Sequence, residues 1–202
     1  NLAAQHSQSW EAILAHLPGV KVVMPSNAYD AKGLIISAAR DDNPVFVVLN
    51  KASLAMTTDV PEEMYEVPIG KAEVVRQGTD FTILAMGRMV VEALAAAKTL
   101  EADGLSVEVI DIRSVQPFDT ETAVASLKKT HRALVVHEAV RFGGFGGEIV
   151  AQLQEEAFDY LDAPIGRVGA PFSPVPFSPA LEKVYVPNAE KIVGEVKQLL
   201  GM

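Results

Sequence analysis

His6 stands in Gln5-His6-Ser7-Gln8-Ser9, an imidazole among hydroxyl and amide side chains just ahead of an apolar run. A neutral imidazole can give or take a proton near neutral pH, which makes this the sharpest chemical signal in the chain. Apolar spacing predicts an amphipathic helix over 7–16, with Trp10, Ile13, Leu14 and Leu17 on one side. Such a helix would hold His6 at its N-terminus, where free N–H groups and the dipole favour a neutral ring or a nearby anion. The plainer account is that Ser7 or Ser9 caps the helix and His6 is a surface residue.

Other groups carry weaker signals. His137-Glu138 ends a predicted strand, where open sheets bind ligands, although an interface or helix-cap role is the simpler expectation. The glycines of Arg141-Phe142-Gly143-Gly144-Phe145-Gly146-Gly147-Glu148 could let backbone N–H groups close on an anion. That run lacks the Gly-Lys-Ser/Thr ending of a phosphate loop and does not open the first β-α unit, so turn geometry is expected instead. Asp41-Asp42-Asn43-Pro44 reads as an ordinary turn. The proline-rich residues 171–179 suit either a proline-recognising module or an extended packed segment. His16 and His131 fall in helix and turn contexts and are assigned no chemistry. There is no cysteine, which excludes disulfides, thiolate metal sites and Cys nucleophiles and suits a reducing cytosol.

The elements that must position these groups alternate. After the first helix come a strand over 20–24, a helix from Ser26 or Asn27 through Arg40 with Leu34, Ile35 and Ala38 at helical spacing, and a strand over 45–49. Residues 51–68 lose the rhythm and read as an exposed connection. Strands over 72–76, 81–85, 107–110, 133–137 and 165–168 then alternate with helices over 87–102, 120–128, 147–156 and 189–200. That alternation predicts an α/β fold with a mostly parallel sheet. Residues 69–202 are expected to form a complete domain, and residues 1–50 part of another, because two helix-strand pairs are too little sheet to bury both faces. With 49 % apolar and 21 % charged residues among 202, a folded core is expected. The net charge of −9 argues against a general nucleic-acid binder and favours a basic protein partner. No run of about 18 apolar residues crosses a membrane, and the first residues lack the regions of a secretory signal.

Taken in order, His6-Ser7-Gln8-Ser9, the Pro18-to-Pro25 segment, Asp30-Ala31-Lys32-Gly33-Leu34 and Arg40-Asp41-Asp42-Asn43-Pro44 resemble the β subunit of the E1 component of thiamine-diphosphate-dependent 2-oxo acid dehydrogenases. The likeness continues through Gly70-Lys71-Ala72, the Glu108-to-Arg113 run, His137-Glu138-Ala139 and Asp162-Ala163-Pro164, over the whole chain. It implies the end of a pyrimidine-binding domain over 1–50, a linker over 51–68 and a transketolase C-terminal-like domain over 69–202. It also implies a heterotetramer of two α and two β subunits that acts on pyruvate, a branched-chain 2-oxo acid or acetoin and passes the acyl group to the lipoyl arm of E2. Partners would be the E1 α subunit, a second β subunit and the E2 acyltransferase binding domain. The compartment would be the cytoplasm, or the mitochondrial matrix if the source is eukaryotic.

The same resemblance makes His6 the residue near the reactive thiazolium, assisting decarboxylation and acyl transfer. It implies a potassium site at Ala38, Ala39, Asp41 and Asn43, where helix-end carbonyls would be joined by the hard oxygens of Asp41 and Asn43. Magnesium and the diphosphate would be held by the α subunit. The family's cofactor-binding glutamate would lie upstream of His6, so no residue here is expected to bind the cofactor's pyrimidine and the isolated chain is expected to be inactive. For the glycine loop the resemblance adds a subunit contact. Two rivals remain: a docking and dimerisation module without its own catalysis, and a single-chain enzyme resembling deoxyxylulose phosphate synthase.

Overall fold

A computed structural model describes residues 3–202. Two sheets form. The smaller has the order β2-β1-β6, from β1 (Lys21–Val23), β2 (Val45–Val47) and β6 (Ser114–Gln116). The larger has the order β3-β5-β4-β7-β8, from β3 (Glu73–Arg76), β4 (Phe81–Ala85), β5 (Val107–Asp111), β7 (Ala133–Val140) and β8 (Gly166–Ala170). All pairings of the larger sheet are parallel except β3 with β5, so the mostly parallel α/β architecture is as expected.

The central strands are buried along their whole length because helices cover both faces. Every residue of β4 and β5 is buried. On one face lie α4 (Met89–Ala102) and α8 (Ala189–Leu200), which place Met89, Ala93, Ala97, Ile192 and Val196 in one core cluster. On the other lie α5 (Thr120–Thr130) and α6 (Gly146–Ala157), contributing Ala123, Leu127, Ile149 and Leu153 to a second. Val22 and Met24 join that second cluster, so the small sheet shares a core with the large one. Asn188 caps α8 by accepting from the Lys191 N–H, and Gly201 at φ +72° closes it in the left-handed conformation.

Two elements were not expected. β6 is three residues long, too short for any period to show, and runs antiparallel to β1. It supplies the third strand that residues 1–50 lack, from within 69–202. A helix, α7 (Pro179–Tyr185), follows the irregular proline-rich segment, with proline at its start where a missing N–H costs nothing.

The first helix also departs from expectation. It is broken into α1 (Ala3–His6) and α2 (Glu11–Ala15), with residues 7–10 outside both. Serine side chains compete for backbone hydrogen bonds, which weakens a helix through Ser7 and Ser9. Trp10 is the N-cap of α2 and makes no side-chain cap, so neither serine caps it. The predicted apolar side also faces the wrong way. Trp10, Ile13 and Leu17 are exposed, whereas Glu11 is wholly buried and Ala12, Leu14 and Ala15 pack on the core. The smaller residues let α2 lie close on β1 and β6.

The third helix, α3 (Ala28–Arg40), is capped by Asn27, whose Oδ1 accepts from the Asp30 N–H at 2.8 Å. Residues 51–68 hold a short 3₁₀ turn (Lys51–Ala55) and are otherwise irregular and mostly exposed. Their far end is fastened to α3. Lys32 Nζ reaches the carbonyls of Pro61, Glu62 and Glu63, Tyr65 stacks on Tyr29 at 4.4 Å, and Ser37 Oγ donates to Val67 O at 2.6 Å. Gly33 is needed here, since a Cβ would stand 2.4 Å from Val67 Cγ2.

Candidate active-site cleft

The open sheet reverses its winding between β4 and β7, because β5 follows β4 to one side while β7 and β8 build on the other. The carboxyl ends of strands at such a point form a crevice. Arg88 follows β4 and Glu138 lies near the end of β7, and both line a cavity of ≈ 390 Å³ there. The opposite wall is the His6-Ser7-Gln8-Ser9 segment, joined by Met24 and Asn50. A second cavity of ≈ 370 Å³ adjoins it and shares Ser7, Gln8, Ser9, Glu138, Glu182 and Val186. Its remaining walls are mainly apolar, from Ile13, Phe172, Pro174 and Val175.

His6 is therefore in the cleft, but at the C-terminal end of a four-residue helix and not at a helix N-terminus. The dipole argument for its neutrality falls with that placement. Nothing in the structure hydrogen-bonds its ring among the described residues, so the imidazole is free to meet a ligand.

Glu138 is mostly buried at the cleft wall. Its Oε2 accepts from Asn50 Nδ2 at 2.8 Å. Burial raises its pKa above the ordinary carboxylate value, opposed by the Arg88 charge and the Asn50 bond. Glu11 opens α2 and is wholly buried. Both of its carboxyl oxygens are buried, and burial pushes its pKa up to about 7, opposed by its own backbone N–H, with Glu138's charge adding to the rise. Neither Glu11 nor Arg88 was marked by the sequence reading. Glu11 is the residue that interrupts the inward face shared by Leu14 and Ala15, a charge where the register wants an apolar group. That face shows only in the structure, because the apolar spacing had pointed Trp10, Ile13 and Leu17 inward.

The glycine loop serves packing. The His137 ring is buried, its Nδ1 lies 3.1 Å from Ala139 O, and a Cβ on Gly144, Gly146 or Gly169 would come within 2.6–2.8 Å of a ring carbon or nitrogen. Desolvation lowers the His137 pKa to about 4, so the ring is neutral.

Asp41 and Asn43 stand apart from the cleft, at the end of α3. The Asp41 carboxylate pairs with Lys21 Nζ and accepts from the Asn43 N–H and Nδ2 at 2.9 and 3.0 Å. Those bonds, the Lys21 bond foremost, hold its pKa down to about 2. An ammonium group thus already neutralises the carboxylate expected to face potassium, and Asn43 spends its amide N–H on Asp41. Asn43 keeps its side-chain oxygen out of these bonds. A helix end also leaves carbonyls unpaired, and the Ala38 carbonyl meets only a long 3.4 Å bond from the Asp41 N–H. Among the described residues no group of three or more His, Cys, Asp or Glu side chains could hold a metal ion.

Residues 70–192 match the transketolase C-terminal domain, and residues 1–57 match the transketolase pyrimidine-binding domain. The chain belongs to the transketolase family. Among its transketolase-family relatives, the β subunit of acetoin:2,6-dichlorophenolindophenol oxidoreductase from Bacillus subtilis is 46 % identical over 98 % of this chain and 58 % of that protein. The β subunit of the pyruvate dehydrogenase E1 component from Staphylococcus aureus is 49 % identical over 96 % of this chain and 60 % of that protein. The chain thus spans 58–60 % of the length of these relatives. A split-gene transketolase solved as an inactive β4 tetramer superposes with a TM-score of 0.85 at 29 % identity, over 98 % of this chain and 64 % of that one. No helix of the described residues is long and apolar enough to cross a membrane.

Proposed function

We propose that the chain acts as the β subunit of a thiamine-diphosphate-dependent 2-oxo acid or acetoin dehydrogenase E1 component, working in the cytoplasm with an α subunit and a second β subunit. The single observation that carries this reading is His6 and its Ser-Gln-Ser neighbours lining the crevice at the sheet's winding reversal. The relatives' names support the same reading and favour it over a docking module or a single-chain synthase.

When bound, thiamine diphosphate supplies the nucleophilic carbon and the electron sink for decarboxylation, with magnesium held alongside its diphosphate by the α subunit. This chain's part is to shape one wall of the crevice. His6 holds a proton at its imidazole for the acyl-transfer step to the E2 lipoyl group, Ser7 and Gln8 orient polar atoms of the substrate, and the apolar cavity beyond them excludes water. Residues 1–50 are assigned to the pyrimidine-binding domain, 51–68 to the connector and 69–202 to the C-terminal domain. Potassium would be held by the main-chain oxygens of Ala38, Ala39, Asp41 and Asn43.

In the assembled α and β enzyme, His6→Ala should keep cofactor binding and lose lipoyl-dependent turnover by about 10²–10⁴-fold, the range for a positioned acid or base. Unchanged turnover with a lipoyl acceptor would return His6 to a surface role.

A further inference from the structure

Arg167, on the edge strand β8, turns its guanidinium back to the end of β7, where Nη1 donates to the Arg141 carbonyl at 3.5 Å. The Arg141 N–H donates in turn to Ala170 O at 2.9 Å. Gly169 permits this close approach, because a Cβ there would stand 3.1 Å from Arg141 Cα. Both arginines line a hollow of ≈ 600 Å³. Its opposite wall is α8, which presents Lys191, Gly194, Glu195 and Gln198, spaced three and four apart as one helix face requires. Lys191 is held in place by its Nζ, which donates to the carbonyls of Val184 and Val186.

None of these three cations makes an ion pair among the described residues, in a chain with 26 acidic side chains against 17 basic ones. Glu195 lies on the same wall and pairs with none of them. Carbonyl oxygens engage Arg167 and Lys191 but cancel no charge. Arg167 also stands at the first turn of α6, since a Cβ on Gly147 would lie 3.1 Å from its Nη1, and the positive end of a helix dipole disfavours a cation. Like charges gathered in this way repel unless an anion joins them. Gly194 points in the same direction. It sits inside α8, where glycine weakens a helix relative to alanine, and a Cβ there would meet nothing within 4 Å. Packing does not call for glycine at 194, and its missing side chain leaves room in the hollow.

We propose that this hollow binds a phosphate group, gripped by Arg141 and Arg167 and further neutralised by Lys191. A guanidinium is a planar fork of N–H donors that meets two phosphate oxygens at once, and the Lys191 ammonium adds a point charge. The volume of ≈ 600 Å³ falls in the range of small-molecule sites, about 300–1,000 Å³, so the phosphate can be free or carried by a small metabolite. The hollow shares no lining residue with either cleft cavity, which sets it apart from the reaction proposed above.

Nitrogen-15 NMR of the arginine Nε–H groups in the intact chain reads the site directly. Inorganic phosphate, added at constant ionic strength with chloride as the balancing ion, should shift two arginine signals along one saturable curve. Pyrophosphate should saturate the same signals at lower concentration. They should be the signals missing from Arg141→Met and Arg167→Met. Arg141 is exposed, so its replacement spares the fold, and Arg141→Met should weaken pyrophosphate binding about tenfold or more, as when a charge-assisted hydrogen bond is lost. Lys98→Met, at an exposed lysine of α4, removes the same charge elsewhere and should leave the affinity unchanged. An equal loss in Lys98→Met would reduce the effect to net charge and overturn the site, as would shifts that chloride reproduces or that never saturate. Adenosine monophosphate separates the two sources: competition with pyrophosphate assigns the hollow to a phosphate-bearing metabolite, and its exclusion assigns it to the free ion. If assembly with an α subunit abolishes the phosphate response, the hollow is a subunit contact and the proposal falls.

Discussion

The guanidinium of Arg113 lies 2.8 Å from the carboxylate of Asp30, an ion pair that ties the turn after β5 to the first turn of α3. Asp30 is wholly buried, and Arg113 reaches it from a backbone at φ +55°, a conformation costly for a residue with a side chain. Arg113 Nη1 also meets Glu73 at 3.1 Å, and its N–H donates to Asp111 Oδ1 at 3.0 Å. Ser26 Oγ donates to the other oxygen of Asp111. Five side chains, those of Ser26, Asp30, Glu73, Asp111 and Arg113, thus join the small sheet's helix to the large sheet.

Removing one partner should be far worse than removing both. Arg113→Met leaves Asp30 buried and unpaired, and urea denaturation should show a loss of about 3–5 kcal/mol. Pairing it with Asp30→Asn should recover part of that loss. A single mutant that unfolds at the wild-type midpoint would show that the pair contributes nothing.

Stability should depend on pH through three buried groups. Burial, with Asp30's charge, raises the Asp111 pKa from 3.8 to about 7, and Glu11 behaves alike from 4.5. Between those values the folded chain binds protons that the unfolded chain has released, so their contribution to stability falls as pH rises to about 7. His137 has the opposite sign. Its folded pKa lies near 4 against 6.5 unfolded, so stability is lost as pH falls below 6.5. Asp111→Asn should therefore become more favourable relative to wild type, by about 2–4 kcal/mol, between pH 4 and pH 8. Parallel stability curves for the two proteins would refute it.

At the end of α3 the expectation is a separation of two effects. Asp41→Asn should lower the melting temperature at pH 7 to the same extent in potassium and in sodium, because the lost partner is Lys21. The wild-type contribution of Asp41 is complete above about pH 4 and fades as pH falls towards 2, the direction set by its depressed pKa. Main-chain coordination predicts that wild type and Asp41→Asn share one potassium-dependent rise in melting temperature over sodium. A rise confined to wild type would restore the carboxylate as a ligand.

Much of the fold was written in short-range pattern. The alternation of buried strands with helices, the Asn27 cap, the Gly-stopped helices and the His6-Ser7-Gln8-Ser9 segment all follow from neighbours within a few residues, where steric and hydrogen-bond preferences act. What surrounds each element was not so written. Periodicity put Trp10, Ile13 and Leu17 on a common side but could not say that core space existed for Glu11, Ala12, Leu14 and Ala15 instead. Asp41 looked like a cation ligand until Lys21, across the small sheet, took its charge. Glu138 was one polar residue after a strand until the winding reversal set it in a cleft beside His6's loop. Burial and charge coupling depend on which distant segments the tertiary structure brings together, and those contacts alone decide where a carboxyl group keeps its proton.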